Sequence, residues 1–125
     1  MADAIVPTLY RQTLAAGMRT SGATVAPITH MAFGDGGHNA DNSVKQSGQA
    51  ALYHERLRKP LDLVLNEDPL SCTGKGSVAQ GELIGVSISE AALVDSLGRL
   101  VGMVTFPPKV KDGTEAFEFE IKVKF

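Results

Sequence analysis

Apolar and polar positions alternate most strictly at the end of the chain. Phe117, Phe119, Ile121, Val123 and Phe125 fall on one side of an extended segment, with Glu118, Glu120, Lys122 and Lys124 on the other. A period of two marks a strand with one dry and one wet face, predicted over Ala116–Phe125. Burying these side chains contributes on the order of 1.5–3 kcal/mol each, and a slip of one residue would expose them all. The helical period occurs once, near the start. Leu9, Tyr10, Leu14 and Met18 fall close to i, i+4, i+8 spacing and predict a core-packing helix over Thr8–Arg19. Pro7 suits its start, Thr8 is the candidate cap, and Ser21-Gly22 ends it.

Between these elements the pattern is less regular. Ile28, His30 and Ala32 alternate with Met31 and Phe33 and run into the turn Gly34-Asp35-Gly36-Gly37. Its glycines permit positive φ or close approach to another backbone, and Asp35 suits an Asx-type turn. Asn39–Gly48 is polar and aperiodic and predicts a long contact-forming loop. Gln49–His54 fits one helical turn, and Glu55–Leu65 reads as extended. Pro60 cannot donate to a ladder, which places that strand at an edge or a bulge. Asn66–Ser77 reads as a turn-rich loop, Val78–Ser87 as a strand, and Ile88–Asp95 as another. Asp95-Ser96-Leu97-Gly98 has the residues of a type I turn. Arg99–Phe106 is apolar on both faces, which predicts a central strand ended by Pro107-Pro108. The order predicts an α+β fold: an N-terminal helix packed on a mainly antiparallel sheet or sandwich of about five to six strands. At 125 residues the chain 1–125 reads as one domain, without internal repeats.

Composition narrows the function. A net charge of −2 gives no general attraction to nucleic acid or an anionic membrane, and tryptophan is absent. No window approaches the roughly 18 apolar residues of a membrane span. The N-terminus lacks the features of a secretory signal. A single cysteine, Cys72, excludes an internal disulfide and suits folding in a reducing cytoplasm.

Candidate chemistry is sparse. Gly74-Lys75-Gly76-Ser77 resembles a phosphate-binding loop only superficially: no Ser or Thr follows Lys75 directly, and Pro69 stands where the first glycine belongs. Asp35, His38 and Asp41 supply oxygen and nitrogen donors in one loop, but not at an established ligand spacing. Cys72 has Lys75 nearby to lower its pKa and no histidine close in sequence. Glu118 and Glu120 read as solvated partners of Lys122 and Lys124. The expectation is a protein that is not an enzyme and has no metal or cofactor.

Three blocks, in order, carry a resemblance. The first is the N-terminal helix with Ile28–Gly37, the second is Gln49–Leu61, and the third is Ile88–Pro107 with Glu90, Leu93, Asp95, Gly98, Leu100 and Val101. Together they resemble the N-terminal attachment domain of the phage tail-collar fibre family, found in contractile-tailed phages and related tail-like particles. Val86–Ser89 replace that family's aromatic run and arginine, and Val94 replaces its tyrosine. The resemblance implies a structural virion protein, made in the host cytoplasm and resident in the tail or baseplate. Its implied partners are baseplate or tail proteins, tail-fibre proteins and copies of itself, as a trimer. Family members continue into a fibre shaft; no such segment occurs in these 125 residues, so a stand-alone attachment or adaptor module is expected. Gly34, Asp35, Gly36, Gly37 and His38 are the candidate docking residues. The alternatives are a small baseplate, neck or capsid-decoration protein without fibre contact, and a small enzyme or metal-binding domain using Asp35, His38 and Asp41.

Overall fold

A computed structural model describes residues 4–19, 25–65 and 69–124. One helix, α1 (Thr8–Arg19), precedes seven strands: β1 (Ile28–Gly34), β2 (Glu55–Pro60), β3 (Leu63–Leu65), β4 (Ser71–Val78), β5 (Ser87–Asp95), β6 (Leu100–Val110) and β7 (Phe117–Lys124). They form a four-stranded sheet ordered β2-β1-β5-β6 and a three-stranded sheet ordered β3-β4-β7. Every pairing between these strands is antiparallel. Among the described residues the protein is therefore mainly β with one helix, and has more strands than the pattern predicts.

The final strand follows its alternation. Phe117, Phe119, Ile121 and Val123 are buried, while Glu118, Glu120 and Lys124 are exposed; Phe125 lies outside the described residues. The buried face meets Met31, Phe33, Ala91, Leu93, Val101 and Val104 of the larger sheet in one core. Phe119 is the centre of an aromatic group, with ring centroids 5.2 Å from Phe33, 5.7 Å from Phe106 and 6.4 Å from Phe117. These separations are favourable for tilted and edge-on rings.

Several expectations change in the structure. The segment read as a turn-rich loop contains β4, whose Cys72, Gly74, Gly76 and Val78 are in register with Val123, Ile121, Phe119 and Phe117. Glycine occurs there because the sheets approach closely: a Cβ at Gly76 would stand 2.8 Å from Met31 Sδ. Lys75 is thus part of a regular strand, not of a phosphate-binding loop. The strand expected over Val78–Ser87 is mostly a compact connection, in which Leu83 (φ 52°) and Gly85 (φ 80°) take left-handed conformations incompatible with a strand. Lys111 secures it: the buried Nζ donates to the carbonyls of Gln80 (3.0 Å) and Asp112 (2.9 Å). Gln49–His54 contains no helix.

The strand from Leu100 is covered on both faces yet lies at the hydrogen-bonded edge, while β5 is central. It also runs through Pro107-Pro108, because the register with β5 shifts between Ile88 and Glu90 and leaves the prolines out of the paired ladder. Pro60 does lie in an edge strand, β2. The second apolar face of the larger sheet, formed by Ala32, Ala92, Val94, Leu100 and Met103, is covered by Leu52 from the segment joining β1 to β2.

The helix docks only by part of its expected stripe. Tyr10 is buried and Leu14 packs on the core, but Leu9 and Met18 are exposed. Pro7 supplies the first helical acceptor, its carbonyl receiving the Arg11 N–H, so Pro7 rather than Thr8 is the capping position. The expected Ser21-Gly22 stop lies outside the described residues. Beneath the helix the Asp95 turn forms as its sequence predicts, with Gly98 N–H donating to the Asp95 carbonyl and Asp95 Oδ1 accepting from Leu97 and Arg99.

Ile121→Asp should destabilise the domain by several kcal/mol, since it places an unpaired charge in the dry face. Glu120→Gln should shift stability by no more than about 0.5 kcal/mol. Denaturant melts of the two variants check the register, and equal losses would contradict it.

Candidate functional site

The glycine turn after β1 is fixed by an acid from the centre of the sheet. Glu90, fully buried in β5, sends its carboxylate into the space between this turn and the segment preceding β2. Its Oε2 accepts the Gly36 N–H (3.0 Å) and the His54 N–H (2.8 Å), and its Oε1 accepts the Tyr53 N–H (2.8 Å). A buried carboxylate is costly unless hydrogen bonds replace its water. Three backbone donors do so here, and the carboxylate in turn satisfies three N–H groups that have left the β-ladders.

The neighbouring residue fixes the rest of the turn. Ser89 Oγ accepts the Gly37 N–H at 2.9 Å and shares a 2.7 Å hydrogen bond with His38 Nδ1. Asp35 N–H donates to the His54 carbonyl at 3.2 Å. These contacts leave no space for side chains. A Cβ at Gly36 would lie 2.7 Å from His54 N, and one at Gly37 would lie 2.4 Å from the Ser89 carbonyl oxygen. Neither glycine has positive φ. Of the two reasons expected for glycine, close backbone approach operates and left-handed backbone does not. The approaching backbone belongs to the chain itself.

On the outer side the turn bears an ionic group. Asp35 Oδ1 accepts from His54 Nδ1 at 2.5 Å, and Oδ2 accepts from Arg56 at 2.8 Å. Partial burial opposes the Asp35 charge, but the hydrogen bonds from His54 and Arg56, with the electrostatic pull of both, outweigh it and hold the carboxyl below its ordinary range. Beside it, exposed Tyr53 donates its hydroxyl to the Gln46 carbonyl (2.8 Å), and Lys45 Nζ lies 4.6 Å from the ring centroid. The loop is tied down by Lys45 N–H to the Gly37 carbonyl and by Thr105 Oγ1 to the Lys45 carbonyl.

The structure thus divides the predicted site. Gly34 and Gly37 are buried and serve internal packing, Gly36 and His38 are half-buried, and Asp35 faces an ionic neighbourhood. Asp35, His38 and Asp41 do not converge: they hold His54 with Arg56, Ser89, and Ser43 respectively. No group of three or more potential metal ligands occurs among the described residues. Cys72 faces the core and burial raises its pKa, opposite to the lowering expected from Lys75. Sequence reasoning placed Glu90 only within a resemblance. Its signal was a lone acid in Ile88-Ser89-Glu90-Ala91-Ala92-Leu93, a run that is otherwise apolar apart from Ser89.

Comparison with protein-family models, with curated proteins and with solved structures gives no match for this chain.

Glu90→Gln turns an acceptor-only group into one carrying two N–H donors among three N–H donors, and should destabilise by roughly 2–4 kcal/mol in denaturant melts. Gly36→Val should also destabilise, through backbone overlap with His54, so it is unsuitable as a surface probe. A pH series separates the outer group. A carboxyl whose folded pKa is depressed stabilises the fold above its unfolded pKa, 3.8 for Asp35, and that contribution is lost as pH falls through the folded value. The stability advantage of wild type over Asp35→Asn should therefore be full near pH 6 and shrink below about pH 4. An advantage independent of pH would contradict an ionic role.

Proposed function

We propose that this chain is a structural protein of a phage tail or tail-like particle, an attachment module that connects a tail fibre to the baseplate or tail. The observation that carries the reading is the meeting of three sequence blocks at one carboxylate. Gly36 comes from the first block of the tail-collar resemblance, Tyr53 and His54 from the second, and Glu90 from the third. Residues far apart in the chain, recognised together as a pattern, thus build one local unit. A helix on a two-sheet sandwich is the framework for that unit in this reading, and the oligomer is a trimer by resemblance.

The docking surface is the outer ionic face of the unit: Asp35, Tyr53, His54 and Arg56. The glycines behind it are scaffold. A binding role suits a site whose central acid is enclosed and saturated by its own backbone, and whose exposed groups already hold one another in place. Neither arrangement supplies a poised nucleophile or an open ligand position.

Particle purification tests the proposal. Wild-type protein should copurify with intact tails, and imaging should place it between baseplate and fibre. His54→Ala and Arg56→Glu should remain folded and lower occupancy several-fold. Protein retained in the baseplate, neck or capsid without fibre contact would instead favour the small virion-protein reading. Protein absent from purified particles would overturn the virion assignment altogether.

A further inference from the structure

Asp95 is paired with Ile28 at the start of β1, whereas Glu90 is paired with Gly34 at its end. The Asp95 turn therefore lies at the opposite end of the larger sheet from the glycine turn. Asp95 is almost fully buried and its carboxylate is saturated. Oδ1 accepts the Leu97 N–H (3.0 Å) and the Arg99 N–H (2.9 Å), and Oδ2 accepts from Arg99 Nε (2.8 Å). That bond uses only Nε of the guanidinium; among the described residues the Nη groups of Arg99 donate to nothing. The guanidinium is held over the Tyr10 ring, with Cζ 5.6 Å from its centroid. An arginine anchored through Nε presents its Nη pair as a fixed planar fork.

The antiparallel bridge of Ile5 with Met103 carries the following residues toward the Leu100 end of β6, and the first turn of α1 arrives at the same place. The first helical hydrogen bond runs from Arg11 N–H to the Pro7 carbonyl, so the N–H groups of Thr8, Leu9 and Tyr10 have no acceptor within the helix. Tyr10 is 5% exposed, yet its hydroxyl donates no hydrogen bond among the described residues. A buried tyrosine hydroxyl ordinarily has a partner. Burial first, then the Asp95 charge, raise its pKa against the opposing charge of Arg99, so the hydroxyl keeps its proton as a donor. These donors border one cavity of about 190 Å³, whose lining includes Pro7, Leu9, Tyr10, Gly98, Arg99 and Leu100.

We propose that this cavity binds a carboxylate group of a polypeptide, held by the Arg99 fork, the Tyr10 hydroxyl and the first turn of α1. The two oxygens of a carboxylate match the planar fork of an arginine. The start of a helix favours a negative charge beside it. The cavity is smaller than the roughly 300–1,000 Å³ of sites that enclose a whole small molecule, so it takes a terminal group. Asp95 already offsets the charge of Arg99, which favours a single negative charge over a dianionic phosphate. The carboxylate is carried by an acidic side chain or by a chain terminus. The site is separate from the Glu90 unit and stands independently of the tail assignment.

An NMR titration of the nitrogen-labelled chain with sodium acetate, against sodium chloride at equal ionic strength, tests the site. Acetate should move the Leu9, Tyr10 and Arg99 amide signals and the Arg99 side-chain N–H signals saturably, and chloride should not. Tyr10→Phe removes one donor and should weaken acetate binding about threefold. Arg99→Lys keeps the charge but loses the fork, and should weaken it about tenfold. If Arg99→Lys fails to fold, Tyr10→Phe and the pattern of shifted signals decide. N-acetylglycine and N-acetylaspartate N-methylamide distinguish the sources. Tighter binding of the first assigns a chain terminus, tighter binding of the second an acidic side chain, and either supports the site. Shifts that never saturate, equal shifts with chloride, or acetate binding unchanged in the folded variants would overturn the proposal. Inorganic phosphate bound more tightly than every carboxylate would overturn its ligand class.

Discussion

A single buried carboxylate organises the functional end of this protein. Glu90 is at the centre of the larger sheet, and its two oxygens gather the N–H groups of Gly36, Tyr53 and His54 from two segments outside the named strands. The charge requires those donors, because an enclosed carboxylate without them would be too costly to bury. The loops use the charge equally, because these part-buried N–H groups lie outside the ladders. From this mutual need follow the glycines that let the turn lie against His54 and Ser89, and the fixed outer placement of Asp35, His54 and Arg56.

The rest of the fold supplies the rigid support on which that arrangement stands. Two sheets share an aromatic core around Phe119, and small residues at Gly76 and Gly102 allow them to close together. The loop segment joining β1 to β2 is not merely a surface excursion. It covers the second apolar face with Leu52 and is anchored to β6 through Thr105. The same loop therefore stabilises the sheet and carries Tyr53 and His54 to Glu90, which couples the stability of the sheet to the shape of the outer surface.

Elements whose stability comes from their own periodicity were legible in the sequence. The presence of α1, the face of β7 and the Asp95 turn all follow from local pattern, although only Tyr10 and Leu14 of the helical stripe pack on the core. Strand β4 was not legible, because Gly74, Lys75 and Gly76 have poor strand propensity; the opposing sheet, not the local sequence, demands glycine there. The centrality of β5 over β6 was hidden because both are apolar on two faces, and only the topology shows which has neighbours on each side. At the candidate site the sequence marked the turn but not what its glycines approach. The partner is His54 and Ser89 of the same chain, a long-range contact that no local pattern encodes.

The central claim is that one carboxylate holds these loops as a unit, and amide hydrogen exchange tests it most directly. In wild type the Gly36, Tyr53 and His54 amides should be protected to a similar degree despite lying outside regular ladders. In Glu90→Gln all three should lose protection together, while amides in the β4–β7 ladder keep theirs under conditions where the domain remains folded. Fast exchange of these amides in wild type, or loss at one of them alone, would contradict the account.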